Sequence, residues 1–145
     1  MGSSDATASG YSIVDPDDVE NHYEDSDVPG EFRSLTEALG CEQLAATLIR
    51  VPPHSDFEQG SGHFHDEIEE LYLVTRGTLT MRFGEEVERV SAPAAVRVAH
   101  DTPRSHRNEG EEPVEIWAIS RKSDHGDATK LDDFWDASPK AKQTR

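Results

Sequence analysis

Between Gln43 and Arg121, short runs of alternating side chains, each closed by a turn signal, recur roughly every 8 to 12 residues. This rhythm constrains the fold more than any other feature of the chain. Leu44, Ala46, Leu48 and Arg50 share one parity and Ala45, Thr47, Ile49 and Val51 the other, so this strand is apolar on both faces. Pro52-Pro53 ends it, and Ser55 to Gly62 reads as a loop. Further strands are expected over 70–75, 78–83, 86–90, 95–99, 105–108 and 113–121, with turns at Arg76-Gly77, Ser91-Ala92-Pro93 and Glu109-Gly110-Glu111. The pattern predicts an all-β protein, a sandwich or a barrel.

The ends of the chain read differently. Residues 1–30 form a polar extension, with a Ser/Ala/Gly leader over the first ten residues, a possible short strand at Tyr11 to Val14, and an acid-rich stretch to Gly30 that is partly disordered unless it lies over a surface. Over 31–39, strand and irregular edge are equally compatible with the residues. The β domain is expected to occupy 31–122. In the tail, 123–145, Leu131, Phe134 and Trp135 stand at helical spacing and predict a short C-terminal helix that packs Trp135 onto the domain.

Thirty Asp and Glu against 14 Lys and Arg give a net charge of −16, which repels phosphate backbones and anionic membrane surfaces, so neither nucleic acid nor membrane is expected as a partner. Only Lys122, Lys130, Lys140 and Lys142 are lysines. An acid-rich, lysine-poor surface suits molar salt, where screening shortens to about 3 Å, and a halophilic, salt-rich cytoplasm is the expectation; an ordinary acidic cytosolic protein is the alternative. Cys41 is the single cysteine, which rules out an intrachain disulfide and fits a reducing compartment. No apolar run approaches the roughly 18 residues of a membrane span, and no basic, apolar leader is present. Gly-x-Ser-x-Gly, phosphate-binding glycine loops and Cys-x-x-Cys are all missing, which disfavours phosphoryl transfer and acyl-enzyme chemistry.

One segment carries chemistry. His63 and His65 alternate on a strand, which puts both imidazoles on one face with alpha carbons about 6.5 to 7 Å apart. Glu70 follows at the start of the next strand and can supply a carboxylate. Two His and one carboxylate suit Fe(II), Mn, Co, Ni or Zn, and ligand type alone does not choose among these divalent ions. A solvated acidic loop around Asp66, Glu67 and Glu69 is the bland alternative. Tyr72 and Val74 share the parity of Glu70 and should line the same cavity, with Met81 and Phe83 as its apolar wall. Tyr72 is a candidate for orienting a substrate or supplying a proton, against a core tyrosine with a satisfied hydroxyl. Trp117 is expected in the core. His22, His54, His100 and His125 have no ligand spacing.

His63-Phe64-His65, four residues, Glu70, six residues and Gly77 together resemble the first motif of the cupin superfamily, small double-stranded β-helix or jelly-roll barrels in which His-x-His, a Glu and a later His bind one metal. The motif's leading Gly is Phe57 here, and Glu69 would replace Glu70 if the loop were one residue tighter. In the second motif Asn108 matches, but Pro93, Ala99, Asp101 and Arg104 stand where Gly, Pro, Gly and the fourth ligand His are expected. The resemblance covers residues 40–122. It implies a metal held by His63, His65 and Glu70, a small ligand entering at the mouth, and a homodimer, to which exposed sheet edges also point.

Arg104 cannot coordinate a cation. Either it turns to the mouth and grips a ligand's carboxylate or phosphate, with His106 as replacement ligand, or it pairs with Glu70 inside a metal-free cavity. A metal would serve as Lewis acid or dioxygen site, for isomerisation of a sugar phosphate or oxidation of a small organic acid, and the similarity to mannose-6-phosphate isomerase-like cupins inclines the expectation to sugar chemistry. A metal-free cupin that binds or senses a small molecule, with Arg104 as anion clamp, is the alternative.

Overall fold

The computed structural model describes residues 10–136 of the 145-residue chain. After a short 3-10 turn at Pro16–Asp18, the strands are β1 (Glu31–Ser34), β2 (Leu44–Val51), β3 (Gly62–His65), β4 (Glu70–Arg76), β5 (Thr78–Phe83), β6 (Glu86–Ser91), β7 (Ala94–Val98), β8 (Arg104–Arg107), β9 (Val114–Arg121) and β10 (Ala128–Leu131). A single helical turn, α1 (Thr36–Leu39), links β1 to β2 and ends on Gly40 in the left-handed region. Five strands make one antiparallel sheet in the order β1-β2-β9-β4-β7 and five make the other, β10-β3-β8-β5-β6. Apart from the pairs β1–β2 and β5–β6, which stay within one sheet, successive strands cross between the sheets, the jelly-roll winding that the resemblance implied.

Side-chain parity decides what lies between the sheets. Ile49, Val51, Tyr72, Val74, Leu79, Met81, Val98, Val114 and Ile116 form the core, and Phe57 joins them from the loop before β3. Trp117 does not: Leu48, Trp117 and Leu73 are aligned across β2, β9 and β4 on the face turned away from that core. The expectation of a core Trp117 therefore fails on strand parity, since its neighbour Ile116 takes the inward side. At the Arg76-Gly77 turn, Gly77 has φ 78°, and a Cβ there would lie 2.4 Å from the Pro113 carbonyl. Only glycine fits. Asn108 fastens the β8–β9 connection by donating to the carbonyls of Val51, Pro52 and Glu112 and accepting from Gly110 N–H.

The two ends depart from expectation. No strand forms at Tyr11 to Val14; Ser12 instead donates to the Leu39 carbonyl. The acid-rich stretch lies over the barrel, with Tyr23 edge-on to Phe32 and Phe57 and the Asn21 side chain accepting from Phe32 N–H. Residues 1–9, the bulk of the expected leader, and 137–145 lie outside the described residues. The predicted C-terminal helix is replaced by β10, which pairs with β3, and by a turn carrying Phe134 and Trp135. The edge of β3 offers unpaired backbone groups, and satisfying them outweighs a helical spacing carried by only three apolar residues. The sheet thus extends past residue 122. Trp135 is buried as expected, but through a turn; its indole N–H donates to Ser105 Oγ, and the Arg107 guanidinium lies 3.9 Å over its ring.

Candidate metal centre

The site sits where the chain passes from one sheet to the other. β3 brings His63 and His65 to one face, the loop 66–69 turns the chain, and β4 opens with Glu70. The two imidazole centroids are 5.0 Å apart and nearly perpendicular. Nε2 of His63 is 3.5 Å and Nε2 of His65 is 3.3 Å from Glu70 Oε1. One ligand atom from each of the three residues lies within 4.8 Å of the other two, so the group could hold a metal ion. Among the described residues it is the group of three or more such side chains that does so. Glu69 is not involved; it is exposed and pairs with Arg97 at 2.9 Å.

Two carboxylates that sequence reasoning missed stand behind the imidazoles. Asp127 Oδ1 lies 2.6 Å from His65 Nδ1, and Glu58 Oε2 lies 3.5 Å from His63 Nδ1. A carboxylate behind each ring is the arrangement that turns the other ring nitrogen toward a metal. His65 Nε2 is buried and has no hydrogen-bond partner. An orphaned imidazole nitrogen facing a second imidazole and a carboxylate is a donor set lacking its acceptor, and these residues fit a divalent ion. Glu58 sits 47 and 48 residues away in sequence from the Ser105 hydroxyl and His106 N–H that it accepts from. Asp127 is 62 residues from His65. No local spacing could have revealed either.

Arg104 is wholly buried. It stands opposite His63 on the neighbouring strand, donates from Nη2 to Glu70 Oε1 at 2.8 Å, and spreads Nη1 over the carbonyls of Ala99, His100 and Thr102. The expected turn toward the mouth as a ligand clamp is not what the structure shows, because that cluster of carbonyls and the carboxylate hold the guanidinium inside. His106, the substitute fourth ligand, does not join the group either. Its Nε2 faces Glu58 at 3.7 Å and its ring stacks on Phe57. Tyr72 is buried and donates its hydroxyl to Glu70 Oε1 at 2.7 Å, a core tyrosine with a satisfied hydroxyl that also braces the carboxylate. His22, His54, His100 and His125 contribute no ligand to the group.

The charges are mutually compensated. Burial alone would raise Glu70, but hydrogen bonds from His63 and Tyr72 and the Arg104 charge hold it down at about 2. Burial opposes protonation of His63, yet its bonds to Glu58 and Glu70 prevail and lift it to about 9. Glu58 is pulled below its usual value because the attraction of His106 and the contact with His63 outweigh burial. Burial of Tyr72 pushes its phenol well above 10.0. These shifts predict the acid and alkaline limits of the metal-free protein. Glu70 is depressed, so its contribution is complete above its ordinary 4.5 and is lost as pH falls through about 2. His63 is raised, so its contribution is complete below its ordinary 6.5 and is lost as pH rises through about 9. With chelator present, the thermal midpoint is expected to peak between these two ordinary values and to decline on both sides. A midpoint that stays level from 6.5 to 9 would contradict the assignment of His63.

Comparison with known proteins bears on the family and the fold. The family model described as "Cupin domain" matches residues 47–120, about half of the chain. No curated protein matches. Among solved structures, a sugar phosphate isomerase from a cupin superfamily of Silicibacter pomeroyi superposes with TM-score 0.65 at 20% identity, over 83% of this chain and 87% of that one. An uncharacterized conserved protein with a double-stranded β-helix domain from Klebsiella pneumoniae gives 0.64 at 15% identity, over 83% and 96%. A putative sugar phosphate isomerase from Acidithiobacillus ferrooxidans gives 0.58 at 22% identity; the match covers 69% of this chain and spans 64% of that protein's length. At these identities the likeness is one of fold.

Proposed function

The chain belongs to the cupin family, and from that premise we propose that it binds one divalent metal through His63, His65 and Glu70 together with a small anionic or sugar-like ligand. The observation that carries this reading is the convergence of the two Nε2 atoms on Glu70 Oε1 with His65 Nε2 left without a partner. Bound there, the metal would polarise a carbonyl or hydroxyl oxygen as a Lewis acid or serve as a site for dioxygen. Asp127 and Glu58 orient the imidazoles, and Tyr72 and Arg104 fix Glu70. The neighbours described as sugar phosphate isomerases favour an isomerisation of a hydroxycarbonyl compound over an oxidation.

Metal analysis of protein purified without chelator tests it. Stoichiometric iron, manganese, cobalt, nickel or zinc supports the reading; protein that is metal-free and takes up none of these ions on titration overturns it. A second reading rests on one contact, the 2.8 Å pair of Arg104 with Glu70, in which the guanidinium stands in for the ion and the barrel binds its ligand without metal.

The acidic surface and single cysteine support a reducing, salt-rich cytoplasm as the setting. No helix among the described residues is long and apolar enough to cross a membrane. The outer face of β2, β9 and β4 carries Ala46, Ile119 and Leu71 in one row and the buried Leu48 with Trp117 and Leu73 in the next; Leu44, opposite Arg121, is 58% exposed. With charge repulsion screened over about 3 Å in molar salt, a second copy of the chain is the proposed cover for this face. Raising KCl from dilute to molar concentration is expected to raise the thermal midpoint and to shift sedimentation from monomer to dimer. A midpoint and mass indifferent to salt would remove both statements.

A further inference from the structure

Asp127 lies in the segment between β9 and β10, yet it touches His65 at the end of β3 and, at three points, the loop that connects the two ligand-bearing strands. Its Oδ1 meets His65 Nδ1 at 2.6 Å, its Oδ2 accepts from Glu67 N–H at 2.8 Å and from Ile68 N–H at 3.0 Å, and its main-chain carbonyl accepts from Asp66 N–H at 3.1 Å. Immediately after it, Ala128 pairs with His65 as β10 joins β3. The segment is anchored beyond that point, since Phe134 fills the space above Gly62, where a Cβ would come within 2.7 Å of its ring.

We infer that Asp127 is the positioning residue of the centre: it holds His65 with the proton on Nδ1 and the Nε2 lone pair turned toward Glu70 and His63, while bracing the loop that sets the distance from His65 to Glu70. An ionised carboxylate only accepts, so the ring nitrogen facing it must donate. Glu70 competes for the same proton from the Nε2 side, but at 3.3 Å against 2.6 Å, and its Oε1 already accepts from Tyr72 and Arg104. The nitrogen left bare is the one with no partner. The consequence for metal affinity rests on the metal reading above; the assignment of the proton does not.

The informative variant is Asp127→Asn. Its single carbonyl oxygen keeps the bonds from Glu67 and Ile68, and its amide then presents a donor to His65 Nδ1, which reverses the polarity of that bond. Ring-nitrogen NMR of the metal-free full chain, recorded where the spectrum shows a singly protonated His65 ring, is expected to show its proton on Nδ1 in the wild type and on Nε2 in Asp127→Asn. Titration with Co²⁺ alone is expected to show a loss of affinity of about 10- to 100-fold in the variant. A wild-type proton on Nε2 overturns the inference even if the variant does not fold, and so does an unchanged tautomer in a folded variant. If the tautomer switches but the wild type takes up no Co²⁺, the positioning role stands and the metal reading falls. If Co²⁺ binds with equal affinity in both and the tautomer is unchanged, the metal reading stands and the role of Asp127 falls.

Discussion

His65→Ala is expected to lose Co²⁺ or Zn²⁺ affinity on the order of a thousandfold, about 4 kcal/mol, with little change in the stability of the metal-free protein. The ion would keep one imidazole and a carboxylate already shared with Tyr72 and Arg104, too few donors for a transition-metal site. The fold tolerates the change because the imidazole contributes few bonds that the structure needs. Asp127 retains its bonds from Glu67 and Ile68, and β3 retains its pairing with β10. Calorimetric titration of the two proteins in parallel with chelator-treated unfolding curves separates the effects. Equal affinity in wild type and variant would show that His65 is not a ligand.

Arg104→Ala should have the opposite signature, a large loss of stability of the metal-free protein. The guanidinium is fully buried, and its removal leaves Glu70 with Tyr72 and the more distant His63 as donors and leaves the carbonyls of Ala99, His100 and Thr102 without it. Removing one partner of a buried ion pair costs about 3 to 5 kcal/mol because the other charge remains in a low-dielectric interior. In a chain of this size that lowers the thermal midpoint by on the order of 10 °C. Added Zn²⁺ should restore part of the loss, since a cation on Glu70 replaces the missing charge. A loss below about 1 kcal/mol would show that the pair contributes no more than a surface ion pair. A full loss without metal rescue would favour the reading in which the guanidinium occupies the ion's place.

Legibility in the sequence followed the range over which the physics acts. A half-buried strand writes its own pattern, because alternate side chains meet solvent and core; β2, β4, β5, β6, β7, β8 and β9 fall within a residue or so of where alternation and turn residues put them. The same period of two put His63 and His65 on one face, and the turn glycine picked Glu70 over Glu69. Where the pattern was short, tertiary context overrode it. Leu131, Phe134 and Trp135 fit a helix by spacing, but the open edge of β3 and the room over Gly62 made a strand and a turn of them. Trp117 was misplaced because in a strand apolar on both faces hydrophobicity alone does not say which side faces in.

The chain by itself determined the strands and the trio of side chains that the winding gathers, since alternation and motif spacing arise from neighbours in sequence; the jelly roll, built on pairings as distant as Leu44 with Arg121, was legible only through the resemblance of that motif. Only the tertiary structure decided how that trio is supported. Asp127 and Glu58 reach the imidazoles across long stretches of chain, and the direction taken by Arg104 was set by three carbonyls and a carboxylate that no spacing brings together. Charges and hydrogen bonds in a buried site are chosen by whatever partners folding delivers to them, and those partners are not encoded in the residues on either side.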